Sequence, residues 1–256
     1  DDKGQLYLHV KAAEAHLKGA GTLPVNLIIL AEGEEEGGSP NLAPFVEAHR
    51  ERLACDAVVI SDTGMFAPGL PSLLFSLRGL AYFEIHVRGP SSDLHSGAYG
   101  GPIVNPAMAL ARILATFHDR QGQIAIDGFY DDVQDWDDET LKGIRQLPFD
   151  DNEFADKLNT TFEGGELGYS VLERLWVRPT CEVNGLLSGY TGEGAKTVLP
   201  GKAMAKISFR LVTDQTPQKI GELLQRHVAK VTPEGVTVRV ETLHGGRPWR
   251  ARLEGR

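Results

Sequence analysis

Four carboxylates fall within five residues in Glu32-Gly33-Glu34-Glu35-Glu36-Gly37-Gly38-Ser39. Carboxylates that close repel one another unless a cation sits among them or they point apart into water. A solvated acidic loop is the plain alternative. Asp62 lies after the apolar run Ala57-Val58-Val59-Ile60, and Asp1 and Asp2 stand just before a helical pattern, where taken alone they read as caps. Hard oxygen donors converging at one sheet edge suit divalent metal ions, zinc included when imidazoles join them. His95 sits in Asp93-Leu94-His95-Ser96-Gly97-Ala98-Tyr99-Gly100-Gly101. A lone His is more often structural or solvated, but its small and Gly neighbours let backbone and substrate approach closely. Thr197 lies in Gly194-Ala195-Lys196-Thr197-Val198-Leu199-Pro200, and Arg210 shares a polar strand face with Lys206 and Ser208, where a guanidinium can grip a carboxylate with both arms.

The elements that must position these groups change character along the chain. Leu6, Val10, Ala13 and Leu17 recur at helical spacing, and residues 25–31 and 57–60 are short continuous apolar runs. Such runs suit parallel strands covered on both faces. Ser39-Pro40 reads as an N-cap and first helical position of a helix running towards Leu53. This β–α–β alternation predicts a mostly parallel sheet, with the acidic loop and Asp62 at strand carboxyl ends, where open α/β sheets bind ligands. Beyond it, Ala81, Phe83, Ile85 and Val87 alternate with polar residues, as do Ala203, Ala205, Ile207, Phe209 and Leu211, and then Val236, Val238 and Val240. Helical spacing covers Val104, Met108, Ala111 and Leu114, and Thr216-Pro217 caps a helix to about Lys230. Half-exposed strands with helices between them predict a separate α+β domain, one sheet with helices on one face, over residues 77–243. Residues 121–179, with their acidic patch, read as a solvated insertion holding one or two short helices.

The 256 residues carry a net charge of −9, with 41% hydrophobic and 24% charged residues. That acidity argues against nucleic-acid and anionic-membrane partners, which need clustered Lys and Arg. No window approaches the ~20 apolar residues needed to span a bilayer. Two cysteines, Cys55 and Cys181, are too few for a disulfide scaffold and fit a reducing compartment, hence a cytoplasmic location. The chain starts Asp1-Asp2-Lys3-Gly4 without Met and ends as abruptly, so it is expected to be an internal portion of a longer protein.

Taken in order, Asp-x-Lys-Gly, Glu-Gly-x-Glu-Glu-x-Gly-Ser, Ser-Asp, Leu-Arg-Gly, Asp-Leu-His-Ser-Gly-x-Tyr-Gly-Gly, Gly-Ala-Lys-Thr-Val-x-Pro and Arg-Leu-Val resemble the di-zinc metallopeptidases that include carboxypeptidase G, succinyl-diaminopimelate desuccinylase and carnosinase. The likeness is strongest to the carnosinase and cytosolic nonspecific dipeptidase branch. It implies a partial phosphorylase/hydrolase-like α/β catalytic domain over residues 1–76, an inserted lid and dimerisation domain over 77–243, and a return to the catalytic domain over 244–256. It also implies two Zn²⁺ ions, with Mn²⁺ or Co²⁺ as alternatives. On this resemblance Asp1 bridges the metals, Glu36 and Asp62 each bind one of them, and Glu35 is the general base. His95 stabilises the oxyanion, reaching into the partner subunit's site, while Thr197 and Arg210 contact substrate, Arg210 at its C-terminal carboxylate.

The resemblance departs at the imidazole ligands. The family completes its metal sites with a His in His-x-Asp and another near the C-terminus, and none of the eight His here lies in either motif. The implied activity is hydrolysis of dipeptides or small peptides by a homodimer, this chain by itself being inactive. The alternatives are an N-acyl amino acid amidohydrolase and a non-catalytic dimerisation module.

Overall fold

The computed structural model describes residues 3–251 and divides the chain into two units, Asp1–Leu74 and Phe75–Arg256. Asp1, expected to bridge metals, lies outside the described residues.

The first unit holds helix α1 (Lys3–Ala20), a 3-10 turn (Glu35–Gly37) and helix α2 (Leu42–Ala48). α1 carries the predicted Leu6–Leu17 periodicity and stops where Gly21 turns left-handed at φ 75° and donates its N–H to the Leu17 carbonyl, 3.0 Å. The helix expected from Ser39-Pro40 begins instead at Leu42. Ser39 sits at φ 52°, and Asn41 takes the N-cap position. Residues 25–31 and 57–60 form no strand among the described residues. A strand exists through its hydrogen-bonded neighbour, and neither run has one; Val58, Val59 and Ile60 are 75%, 78% and 78% exposed.

The second unit is built on an antiparallel sheet. Its strands are β1 (Ser76–Leu77), β2 (Gly79–Arg88), β3 (Leu94–His95), β4 (Thr180–Ser188), β5 (Val198–Leu199), β6 (Lys202–Leu211), β7 (Thr237–Gly246) and β8 (Trp249–Arg250). Four of them form the main sheet in the order β4-β6-β2-β7, while β1 pairs β8 and β3 pairs β5. Helices α3 (Ser96–Tyr99), α4 (Pro106–Leu114), α5 (Asp138–Arg145), α6 (Asp151–Leu158), α7 (Val171–Trp176) and α8 (Pro217–Val231) complete it. Alternation puts Ala81, Phe83, Ile85 and Val87 of β2 and Ala205, Ile207 and Phe209 of β6 inward, all fully buried. Ala109, Leu110 and Ile113 of α4 and Ile220, Leu224 and Val228 of α8 close over that face. The α+β arrangement with helices on one side is as predicted.

The 121–179 segment departs from a solvated insertion. Ile124, Ile126 and Phe129 enter the core, and three helices form rather than one or two. Each has a local cap: Asp137 accepts from Thr140 N, Asp150 from Asn152 N and Glu153 N, and Ser170 forms a capping box with Glu173. Buried Glu166 ties the segment down, taking the Tyr130 hydroxyl on one oxygen and the Arg178 guanidinium on the other. The Arg178 guanidinium also lies 4.5 Å from the Tyr169 ring centroid. The acidic stretch is solvated, as expected, with Asp132 reaching Lys219 at 2.7 Å.

Glu173 gives the segment a pH dependence. Burial pushes its carboxyl up, but the Ser170 N–H and hydroxyl and the Arg145 guanidinium, 2.8 Å away, outweigh burial and hold it below the usual carboxylate range. A depressed folded value contributes stability above the unfolded value, about 4.3, and that contribution is lost as pH falls through the folded value. Denaturant titrations from pH 6 downward will therefore show stability dropping below about pH 4.3, with a shallower drop in Glu173→Gln than in the parent chain.

Candidate functional site

The first unit presents its acidic residues on an irregular loop. Gly38, at φ 86°, and Ser39 turn the chain back so that the Ser39 N–H donates to the Glu34 carbonyl, 3.0 Å. Asn41 Nδ2 donates to both oxygens of Glu34, at 3.0 and 2.9 Å. Glu34 is thus committed to the loop, and the exposed carboxylates of Glu35 and Glu36 make no hydrogen bond or ion pair among the described residues. Asp62 is likewise exposed; its neighbour Ser61 lies 2.6 Å from His9 Nε2. Oxygen donors of this kind suit a divalent cation. Neither Glu36 nor Asp62 belongs to a cluster of three such donors among the described residues.

The donors that do cluster are elsewhere. Single ligand atoms of Glu84, His86 and Glu241 lie within 4.8 Å of one another on the polar face of β2 and β7. Lys206 Nζ stands 2.6 Å from Glu84, and Arg239 Nη2 stands 2.6 Å from Glu241. The Lys206 ammonium holds Glu84 below the usual carboxylate range. The cluster's negative charge is therefore already met by protein cations.

In the second unit, two loops converge on His95. The final pair of the β2–β6 ladder, Arg88↔Lys202, brings the loop after β2 beside the loop before β6. They are stitched by Leu94↔Leu199 and His95↔Val198 pairing, by Ser96 N–H on the Thr197 carbonyl at 3.1 Å, and by Gly89 N–H on the Gly201 carbonyl at 3.0 Å. Asp93 Oδ1 accepts the Gly201 N–H at 2.8 Å. The result is an exposed imidazole whose Nε2 is 3.1 Å from Thr197 Oγ1, within hydrogen-bonding distance of it.

Arg210 is not brought to them. It pairs with Leu80 on one side and Thr180 on the other, eight residues along β6 from Lys202. At about 3.4 Å per residue that is roughly 27 Å, the opposite end of the ladder. Its surroundings still invite an anion. Half-buried Arg78 is held below the usual guanidinium value first by desolvation and then by repulsion from Arg210, and neither Arg is in an ion pair among the described residues. Arg78 was visible only as the middle of Leu-Arg-Gly. The signal that marks it is a second unneutralised guanidinium beside Arg210, which needs the register to be seen.

Residues 75–236 match the M20 peptidase dimerisation domain. The chain belongs to this family. The Cys-Gly metallodipeptidase DUG1 of Candida albicans is 34% identical over 254 residues, 97% of this chain and 52% of its own length. The solved dipeptidase Dug1p of Saccharomyces cerevisiae superposes with a TM-score of 0.81 at 30% identity, covering 100% of this chain and 54% of its own. The M20 metallo-carboxypeptidase Sso-CP2 of Sulfolobus solfataricus superposes with a TM-score of 0.79 at 35% identity, covering 95% and 55%. The chain thus spans about half the length of the curated relatives it matches.

Asp93 gives the loop staple a direct readout. Asp93→Ala will speed amide hydrogen exchange at Gly201 by roughly threefold to tenfold, the equivalent of about 0.5–1.5 kcal/mol for one hydrogen bond, leaving exchange in β2 unchanged.

Proposed function

We propose that the protein of which this chain forms part is a zinc-dependent dipeptidase, cleaving the peptide bond of small peptides with a free C-terminus. The carrying observation is the His95–Thr197 contact, held by a two-loop staple in a chain similar to named metallodipeptidases. Glu36 and Asp62, with Asp1, would hold the divalent cation, supplying carboxylate donors. When bound, that cation supplies an acidified water and a polarised carbonyl. Glu35, whose carboxylate has no hydrogen bond or ion pair among the described residues, takes the proton from the attacking water and returns one to the leaving amine. His95 Nε2–H and the Thr197 hydroxyl stabilise the oxygen that becomes negative, an arrangement worth about 3–4 kcal/mol per donor. Arg210, with Arg78 raising the local positive potential, grips the C-terminal carboxylate.

The separation of Arg210 from His95 makes a homodimer part of this reading. An extended dipeptide spans at most about 7 Å, so it cannot touch both ends of one ladder roughly 27 Å long. Each active site then takes Arg210 from one protomer and His95 with Thr197 from the other.

Two measurements test the proposal on the longer protein. Hydrolysis of Cys-Gly and β-Ala-His is expected to depend on added zinc and to fall about 10²- to 10⁴-fold in Glu35→Gln; activity on N-acetyl amino acids alone would assign the amidohydrolase reading instead. Mixing the two inactive variants His95→Gln and Arg210→Met is expected to restore activity, because a mixed dimer contains one intact site. No recovery from verified mixed dimers would place both residues in the same site and overturn the shared arrangement.

A further inference from the structure

The geometry points to Gly97 and the Ala98 amide as the positioning elements that fix His95 as its Nε2–H tautomer, an inference that rests on the proposed oxyanion role of His95 for its consequence but not for its test. The Ala98 N–H donates to His95 Nδ1 at 3.2 Å. A backbone N–H can donate only to a bare ring nitrogen, so in the neutral imidazole Nδ1 is the acceptor and the proton resides on Nε2. That N–H is the one aimed at Thr197 Oγ1, 3.1 Å away. The opposite tautomer would present a lone pair at this point and could not stabilise a developing oxyanion.

The lock needs space that one residue type provides. His95 is the N-cap of α3, with extended backbone at φ −76° and ψ 119°, and its ring folds back over the first turn to reach Ala98. A Cβ on residue 97 would stand 2.8 Å from His95 Cε1 and 3.2 Å from Nδ1. Both distances lie inside the ordinary contact limit of about 3.5–4.0 Å, so the ring must leave. The atoms in the way are the far end of an exposed side chain, and Ala is favoured over Gly within a helical turn. Gly97→Ala is therefore expected to unseat the ring without unfolding the loop. Gly97 is a positioning residue: it touches the imidazole, not the reacting atoms.

The test is the ring-nitrogen spectrum of the ¹⁵N-histidine-labelled 256-residue chain, with His95 assigned by its loss in His95→Gln. At a pH where the ring is neutral, the wild-type chain is expected to show His95 with an acceptor-type Nδ1 and a proton on Nε2. Thr197→Val is expected to keep that pattern, because the Ala98 amide and not the hydroxyl sets it. Gly97→Ala is expected to lose the single-tautomer pattern while its thermal midpoint holds or rises. A proton on Nδ1 in the wild type, a tautomer that flips in Thr197→Val, or an unchanged pattern in folded Gly97→Ala would each overturn the inference. The wild-type measurement decides even if a variant fails to fold. Failure of the catalytic reading shows separately, as undiminished peptide hydrolysis by His95→Gln in the longer protein.

Discussion

The second unit depends on the register of one ladder. β2 and β6 pair over their full length, from Gly79↔Leu211 to Arg88↔Lys202, with fully buried Phe83 and Ile85 set against Ile207 and Ala205. Because side chains alternate with a period of two, a slip of one residue would turn this apolar set to water and bury Glu84 and Lys206. At roughly 25 cal/mol per Å² of apolar surface, that slip is prohibitive. The register therefore determines more than packing. It sets Arg210 opposite Leu80 at one end, and at the other it sets the Arg88↔Lys202 pair from which the His95 and Thr197 loops leave. His95 and Thr197 meet across 102 residues of sequence because this last pair closes.

The loops then add what the ladder cannot. A strand end constrains where a loop begins but not the orientation of an imidazole within it. That orientation comes from the short β3–β5 pairing, the Asp93–Gly201 bond and the Ala98 amide, each weak alone at about 0.5–1.5 kcal/mol. Together they hold an exposed side chain. Small residues are needed where the loops touch. A Cβ on Gly201 would stand 3.0 Å from the Pro90 carbonyl oxygen, so the two chains could not approach closely enough to share their backbone hydrogen bonds.

The sheet domain was legible in the sequence because its burial is periodic. β2, β6 and α8 each show a face that could be read from residue spacing alone. β4 was not, because the register shift between Val183 and Gly185 breaks its alternation, and edge exposure leaves Leu186 63% and Leu187 58% accessible. The 121–179 segment misled for a related reason. Its acidic composition describes its surface, while Ile124, Ile126 and Phe129, which anchor it, are too few and too irregular to form a pattern. Residues 25–31 and 57–60 carry the opposite lesson: apolar runs were visible, but a parallel strand is a property of its neighbours as much as of its own residues. At the candidate site, the motifs singled out His95 and Arg210 and the family resemblance added Thr197. Only the register revealed that two of them share a point and the third stands apart.

On the proposed dipeptidase reading, that separation bears on how one small substrate could be recognised at all. An isolated exposed arginine usually finds an acid, and exposed pairs of that kind contribute little, about 0–1 kcal/mol. Here desolvation weighs on half-buried Arg78 first and repulsion from Arg210 adds to it, and neither guanidinium forms an ion pair among the described residues. A protein that keeps two guanidiniums in this state gains when an anion arrives, because binding relieves an electrostatic cost already present. In that reading the His95–Thr197 pair at the far end of the ladder serves the opposite moment, when charge appears on an oxygen during reaction. On the proposed reading, binding and chemistry thus fall at opposite ends of one sheet. On the proposed dipeptidase reading, a substrate much shorter than that sheet can draw on both only if two copies of the sheet bring unlike ends together, and association of protomers then becomes a condition of catalysis and not an addition to it.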